Sequence, residues 1–369
     1  MNAGLIVIIL LLVLSILGIP IYLALGIGTL VALNMADMPF IVLPQKLFAG
    51  MNSSSLLAIP FFMLAGNIMS RSITGKLIDV SNALIGWIKG SLAVVTVLAS
   101  ALFGAISGSG VATASAVGGT TIPAMKEEGY PDHFAAAISG IAAILGPIIP
   151  PSITLIVYAS ITDLSVSKLF VGSVIPGILM AVGLIIYALF YGKKNDLPAH
   201  ERKSAKEVLL IFKDSIWALL MPVIILGGIF GGIFTPTESA AVAVVYALLV
   251  SLLIYKDIKI KDIPGIFVDG AISTATILML VGISKSSGYV ITTSGLPHQV
   301  LEVFSSFTNS TVVILLLLNI LFLVIGMLME ANAAIIMMTP ILLPLLDAFG
   351  IDPLQFGIMM SFNLCIGLV

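Results

Sequence analysis

Apolar residues run along this chain in blocks too long for the helices of a water-soluble core, and the polar, glycine and proline interruptions between them mark out its elements. Blocks at residues 5–33, 55–70, 133–161 and 169–191 predict membrane-crossing helices, the first a single span kinked at Pro20. After a polar stretch at 193–214, blocks at 215–234, 238–255 and 264–284 predict three more. Residues 73–89 follow another rule. Leu77, Val80, Leu84, Ile85 and Ile88 recur at mostly three-to-four spacing with Lys76, Asp79 and Asn82 between them, which predicts an amphipathic helix lying along the membrane interface. Residues 299–307 predict a shorter helix of the same character.

Two blocks do not fit a simple crossing. Residues 90–125 are uncharged, fenced by Lys89 and Lys126, and broken in the middle by S-G-S-G at 107–110. As one helix they would reach about 54 Å against a hydrocarbon core of about 30 Å, and each half alone is close to the shortest length that spans. Cationic fences at both ends favour the same cytoplasmic side. The block therefore predicts a re-entrant hairpin that turns at mid-membrane, which is tolerated only where protein or a wet cavity surrounds the broken backbone. Residues 311–346 form the second such block. Its only charge is Glu330, and Glu302 and Asp347 flank it. Six of the sixteen Lys and Arg residues fall in 193–214, so that loop reads as cytoplasmic, and the alternation of spans then brings the second hairpin in from the opposite face.

The two blocks also match when slid by 221 positions: Pro123 falls on Pro344, Gly129 on Gly350 and Gly146 on Gly367. Opposite fencing plus this match predicts an inverted-topology repeat, an arrangement that secondary transporters use to build a midplane site from interrupted helices. The predicted division is a first repeat over 1–192, with hairpin 1 at about 90–126 and a broken helix at 133–161. A cytoplasmic loop follows at 193–214, and a second repeat, C-terminally truncated, runs over 215–369 with hairpin 2 at about 311–346. The slide puts the counterparts of Pro150 and Pro151 beyond Val369, so the second site is expected to be incomplete.

Composition sets the solvent and narrows the chemistry. With 59% hydrophobic and 9% charged residues, the fold class is an all-α polytopic membrane protein with two re-entrant helical hairpins and broken helices. The apolar start has no basic n-region and reads as a retained span. Cys365 is the only cysteine, and His133, His200 and His298 are scattered near span ends or in loops, so neither a disulfide nor a His/Cys metal centre is predicted. Ser109 lacks the G-x-S-x-G setting and a histidine at its depth, which speaks against an intramembrane hydrolase. The expectation is a non-enzyme.

At the first tip, the helix entering Ser107, Gly108, Ser109 and Gly110 ends in unpaired carbonyls that suit a cation. The helix leaving it starts with free N–H groups that suit an anion. Thr113 and Ser115 add hydroxyls to the second arm. A companion break, G-P-I-I-P-P-S at 146–152, loses amide donors to three prolines and frees carbonyls between Gly146 and Ser152. Hard oxygen ligands favour Na⁺, while the structural alternative is a proline kink with small-residue packing. Glu330 at the second tip reads either as an ion ligand or as a cap on freed amides. T-P-T-E at 235–238 spells a capping box, with Thr235 at N-cap, Pro236 at N1 and Glu238 at N3. No arginine lies inside a predicted span, so a carboxylate would be held by dipoles, hydroxyls, bound cations or a residue at a span end.

Several motifs in order resemble the large membrane subunit of the tripartite ATP-independent periplasmic (TRAP) transporters. They are G-I-P-I-Y-L-A-L-G at 18–26, I-P-F-F-M-L-A-G at 59–66, S-G-S-G-V-A-T-A at 107–114, G-P-I-I-P-P-S at 146–152 and G-I-F-T-P-T-E-S-A-A-V-A at 232–243. The resemblance implies an elevator-type, Na⁺-coupled importer of an organic acid such as a C4-dicarboxylate or sialic acid, in a bacterial inner membrane. It also implies two partners, a small four-helix membrane subunit and a periplasmic binding protein, with the lipid bilayer around the chain and no nucleic acid. On matching positions, Ser107, Gly108, Ser109, Gly110, Gly146, Ile149 and Pro150 would form one Na⁺ site. Glu330, Ala331, Asn332 and Gly367 would form its mate, with Thr113, Ser115 and Ser152 as substrate ligands. An ABC-type permease subunit and a stand-alone Na⁺-coupled carboxylate transporter are the rival readings.

Overall fold

The computed structural model describes residues 2–369, and every regular element among them is helical. Among the described residues, seven helices are long and apolar enough to cross a membrane, or eight if a broken pair beginning at Val42 counts as one. The chain is an all-α polytopic membrane protein.

The first block differs from its expectation. Residues 5–33 form two helices, α1 (Ala3–Ile16) and α2 (Ile21–Met35), instead of one kinked span. Gly18 takes φ +83°, a left-handed conformation that reverses the chain ahead of Pro20. The second helix then packs back on the first so closely that a Cβ on Gly28 would lie 3.2 Å from the Val7 carbonyl. Next comes α3 (Val42–Met51), which the apolar pattern did not reveal because Gln45 and Lys46 interrupt it. Then follow α4 (Ala58–Ser72) and the amphipathic helix α5 (Thr74–Ile85), whose Leu77 and Val80 are buried while Leu84 is exposed.

Hairpin 1 consists of α6 (Ser91–Ser107), a two-residue break, a short helix α7 (Gly110–Thr113), a π-helical turn over Ala114–Gly118, and α8 (Gly119–Glu127). It returns to its starting level, since Leu92, Ala93 and Val94 share a buried cluster with Met125, Tyr130 and Phe134. Then come α9 (Asp132–Ala143), α10 (Leu145–Ile148), an extended break, α11 (Ile153–Thr162) and the long α12 (Val166–Lys194).

The basic loop is shorter than predicted. Ser204 and Glu207 form a capping box that starts α13 (Ala205–Phe230), so Lys206 and Lys213 lie on a helix. Residues 195–204 strap the base of hairpin 1: Gly90 N–H donates to Pro198 O and His200 N–H to Gly86 O, both at 3.0 Å. Lys89 pairs with Asp196, and His200 Nε2 lies 2.8 Å from Glu128. The remaining loop, with Arg202 and Lys203, thus sits at the level of the hairpin's fences.

Thr235, Pro236 and Glu238 form the expected capping box of α14 (Pro236–Leu249). Then α15 (Ile263–Thr293) extends nine residues past its predicted end at 284, because Lys285 and the serines beside it continue the helix. α16 (Leu296–Phe307) precedes hairpin 2, built of α17 (Thr311–Leu328) and α18 (Ala331–Phe349), and α19 (Pro353–Gly367) follows. Thr311 Oγ1 donates to Phe349 O at 3.1 Å, so this hairpin also returns to its starting level.

The chain packs into two compact units that interleave along the sequence. One gathers Met1–Leu57, Thr154–Leu169 and Ile272–Leu368, and the other Ala58–Ile153 and Phe170–Ala271. In the second, α12 meets the α5–α6 linker backbone to backbone. A Cβ on Gly192 would lie 2.6 Å from Gly90 Cα and 2.7 Å from Lys89 O, whereas one on Gly183 of the same helix would meet nothing within 4 Å. Gly183→Ala is therefore expected to raise stability by up to about 1 kcal/mol through helix propensity. Gly192→Ala is expected to lower it by about 1–3 kcal/mol through overpacking. Thermal unfolding in detergent measures both signs, and equal shifts would refute the close approach.

Candidate functional site

Tip 1 is built by four local devices. Gly108 takes φ +62° and closes α6 through its N–H to Gly104 O. Ser109 turns extended and caps the following helix, its Oγ accepting from Ala112 N–H at 3.4 Å. Thr113 Oγ1 donates to Ser109 O at 2.7 Å and lies 3.4 Å from the Ser107 hydroxyl. Glycines on both sides then let neighbours approach: a Cβ on Gly66 would lie 3.1 Å from Ser107 Cα, and one on Gly104 would lie 2.8 Å from Gly146 Cα.

The structure thereby brings the tip and the proline break together. A Cβ on Gly146 would lie 2.6 Å from Thr113 Oγ1 and 2.7 Å from Ser109 O, and one on Gly108 would lie 2.5 Å from Pro151 O. Ile153 N–H reaches Gly108 O at 3.4 Å, and Ser152 donates to Pro147 O. Ser107, Gly108, Ser109, Gly110, Gly146 and Thr113 thus share one locus rich in carbonyl oxygens, with Gly110 against the Pro147 ring. Ile149 is extended and turns its side chain toward Gly177 of α12, and the Pro150–Pro151 bond is cis. Ser115 differs from the other predicted ligands. It lies exposed in an open groove with Ala114, Gly118 and Pro123, while Thr113 is fully buried at the tip.

Tip 2 repeats two of these devices, the extended capping residue, 221 positions on, and the close glycine approach. Met329 is extended, and Glu330 is the N-cap of α18, its carboxylate accepting from Ala333 N–H at 3.1 Å as Ser109 accepts from Ala112. Gly129 and Gly350, both at positive φ, end the return arms. A Cβ on Gly326 would lie 3.0 Å from Gly367 Cα, the counterpart of the Gly104–Gly146 approach. Asn332 Nδ2 donates to Glu330 Oε1 at 2.6 Å, and its Oδ1 is buried without a partner. Ala331 is buried beside them. The capping role of Glu330 is directly visible. Among the described residues no Lys or Arg pairs with it within 4 Å.

Comparison with known proteins decides the family. The family model described as "Tripartite ATP-independent periplasmic transporter, DctM component" matches residues 8–369. The chain belongs to the DctM family of TRAP transporters. Its relatives include TRAP transporter large permease proteins. It is 42% identical to an uncharacterised protein, YgiK, of Salmonella typhimurium, over 95% of this chain and 82% of that protein. It is 40% identical to a C4-dicarboxylate TRAP transporter large permease of Pseudomonas aeruginosa, over 88% and 76%. With a sialic acid TRAP transporter large permease of Vibrio cholerae it shares 36%, over 88% and 76%. TRAP large permeases work with a small membrane subunit and a periplasmic binding protein.

Three features of this DctM-family chain were not read from the sequence. The π-helical turn at Ala114–Gly118 follows from no residue type, though such turns recur at functional sites. An amide pair joins hairpin 2 to α19, with Asn363 Nδ2 donating to Asn319 Oδ1 at 2.6 Å; two Asn residues inside strongly apolar blocks are the signal that could have found it. Third, the orphaned Asn332 Oδ1 arises only from how the side chains pack around it.

The capping and charge roles of Glu330 separate by substitution. Glu330→Ala is expected to weaken the start of α18 by about 1 kcal/mol and speed amide exchange over 331–334. Glu330→Gln keeps one oxygen acceptor for the cap and should leave that exchange near the parent rate. Equal acceleration in both variants would assign the effect to charge instead of the cap.

Proposed function

We propose that this DctM-family permease carries an organic acid inward across the bacterial inner membrane, driven by Na⁺ that binds at the two hairpin tips. The observation that carries the proposal is Asn332 Oδ1, a buried amide oxygen without a partner beside a carboxylate that no cationic side chain pairs at a helix break. A buried acceptor left unsatisfied is costly, and a carboxylate at membrane depth calls for a cation. Na⁺, a transported ion bound by hard oxygens, answers both. Tip 1 supports the same reading through the carbonyls of Ser109, Pro147 and Pro151 and the Ser107 and Thr113 hydroxyls gathered around Gly108 and Gly146.

In this reading, Ser107, Gly108, Ser109, Gly110, Gly146, Ile149 and Pro150 serve the first ion, and Glu330, Ala331, Asn332 and Gly367 serve the second. The two hairpin segments would act as an inverted pair moving as an elevator, and ion binding would order the tips for a substrate met by Thr113, Ser115 or Ser152. A small four-helix subunit would brace the permease in the bilayer, and a periplasmic binding protein would deliver the acid. C4-dicarboxylates and sialic acids, named for two relatives, are the first substrates to try.

Uptake of labelled acid into proteoliposomes holding the permease and its small subunit tests the reading. The expected result is uptake that needs a Na⁺ gradient and the binding protein but no ATP. Ser109→Leu or Asn332→Leu should abolish the Na⁺-dependent component in a protein that still folds. A requirement for ATP would point to an ABC-type permease, and Na⁺-driven uptake without binding protein to a stand-alone carrier. Unchanged uptake in both variants would remove the tips from the ion path.

A further inference from the structure

The compact unit built from residues up to 57, 154–169 and 272–368 contains a cavity of about 440 Å³ lined by α3, the end of α11, α15 and α18. Its size falls in the range of small-molecule sites. Two of its lining residues are Lys46 and Lys285. Neither forms an ion pair within 4 Å among the described residues, and no Asp or Glu lines the cavity. Lys46 Nζ lies 4.4 Å from the centre of the Tyr289 ring, another lining residue.

The placement of these cations is built into the helices. Lys285, Tyr289 and Thr292 fall at i, i+4 and i+7 on one face of α15, and Lys46, Ala49 and Gly50 at i, i+3 and i+4 on one face of α3. The two faces are held together closely. A Cβ on Gly50 would lie 2.6 Å from Lys285 Cγ, so the missing side chain makes the notch in which the lysine stem lies. One on Gly282 would lie 3.1 Å from Leu47 O, and Ser286 Oγ donates to Leu43 O at 2.8 Å. The lining hydroxyls of Ser284 and Thr292 already donate to Leu280 O and Gly288 O, which leaves the two ammonium groups and the Tyr289 hydroxyl as side-chain donors of the lining.

Two like charges in one cavity with no carboxylate repel each other, and cations in such a setting are stabilised by an anion. Ile336, Pro340 and Leu343 supply an apolar wall opposite. An ammonium pair with an apolar wall suits a small organic acid, whose carboxylate meets the lysines and whose carbon skeleton meets the wall.

We propose that Lys46 and Lys285 form a carboxylate-binding site for the transported organic acid, built on residues other than Thr113, Ser115 and Ser152. The identity of the anion as cargo rests on the transporter reading above, while the anion site itself does not.

The test follows lysine reactivity in the full chain with its small subunit, pulsed with an amine-acetylating reagent and read by peptide mass spectrometry. Succinate and N-acetylneuraminate serve as carboxylate probes of different size, and succinamide as the uncharged control. Vesicles of phosphatidylcholine are compared with vesicles that also contain phosphatidylglycerol. The expected result is that at least one acid slows acetylation of both Lys46 and Lys285 in either lipid, leaves Lys259 and Lys261 unaffected, and is not mimicked by succinamide. In uptake of the protecting acid, Lys46→Gln and Lys285→Gln should each raise KM about tenfold, the loss of one charge-assisted contact, with half-saturating Na⁺ unchanged. Lys285→Arg should recover most of the loss. Protection by phosphatidylglycerol alone would overturn the proposal in favour of a lipid headgroup site. Absence of protection by either acid, or parent KM in both Gln variants, would overturn it outright. Protection without Na⁺ dependence of uptake would sustain the anion site and remove the ion-coupled reading instead.

Discussion

The constraint on which this architecture depends is that a helix broken inside a bilayer must find hydrogen-bond partners for its freed backbone within the protein. At both hairpin tips the side chain of the residue before the second arm does so. Ser109 and Glu330 stand 221 positions apart and each accept from an amide three residues on. The glycine contacts around them follow from the same need, because backbone can approach backbone only where no Cβ intervenes. Gly104 against Gly146 and Gly326 against Gly367 bring the carbonyls of one helix to the break of another. What satisfies the break also concentrates oxygen atoms at it.

Much of this was legible in the sequence because it is written in residue types with narrow conformational roles. The over-long apolar blocks, the S-G-S-G turn, the three prolines after Gly146 and the Thr235–Pro236–Glu238 box each leave the backbone little choice, and each lies where the pattern put it. The errors arose where hydropathy alone was the guide. Residues 5–33 look continuous by hydropathy, yet Gly18 at positive φ folds them into a helical pair. Lys46 hid α3 by interrupting its apolar run, and Lys285 looked like the end of a span although α15 continues through it. A lysine that points into a cavity and a lysine that ends a span are the same letter.

The candidate site was legible only in part. Which segments would break could be argued from glycine and proline. That Thr113 is the one buried at the tip and Ser115 the one exposed in a groove could not: two positions apart they take different faces of a helix, but residue type does not say which face turns inward. The lack of a donor for Asn332 Oδ1 is likewise a property of packing. Side-chain orientation depends on the sum of many contacts, and a residue type does not specify it.

The two caps occupy the same structural position but differ in formal charge: one is a hydroxyl and the other a carboxylate. A monovalent cation beside Glu330 would form a neutral pair, whereas the same ion beside Ser109 would keep its full charge. Carrying an uncompensated charge through the membrane voltage is worth about 2.3 kcal/mol per 100 mV, and carrying a neutral pair is worth almost nothing. Over a full cycle of the proposed movement the serine-capped tip would therefore feel the voltage while it is loaded, and the glutamate-capped tip while it returns empty with its charge uncovered.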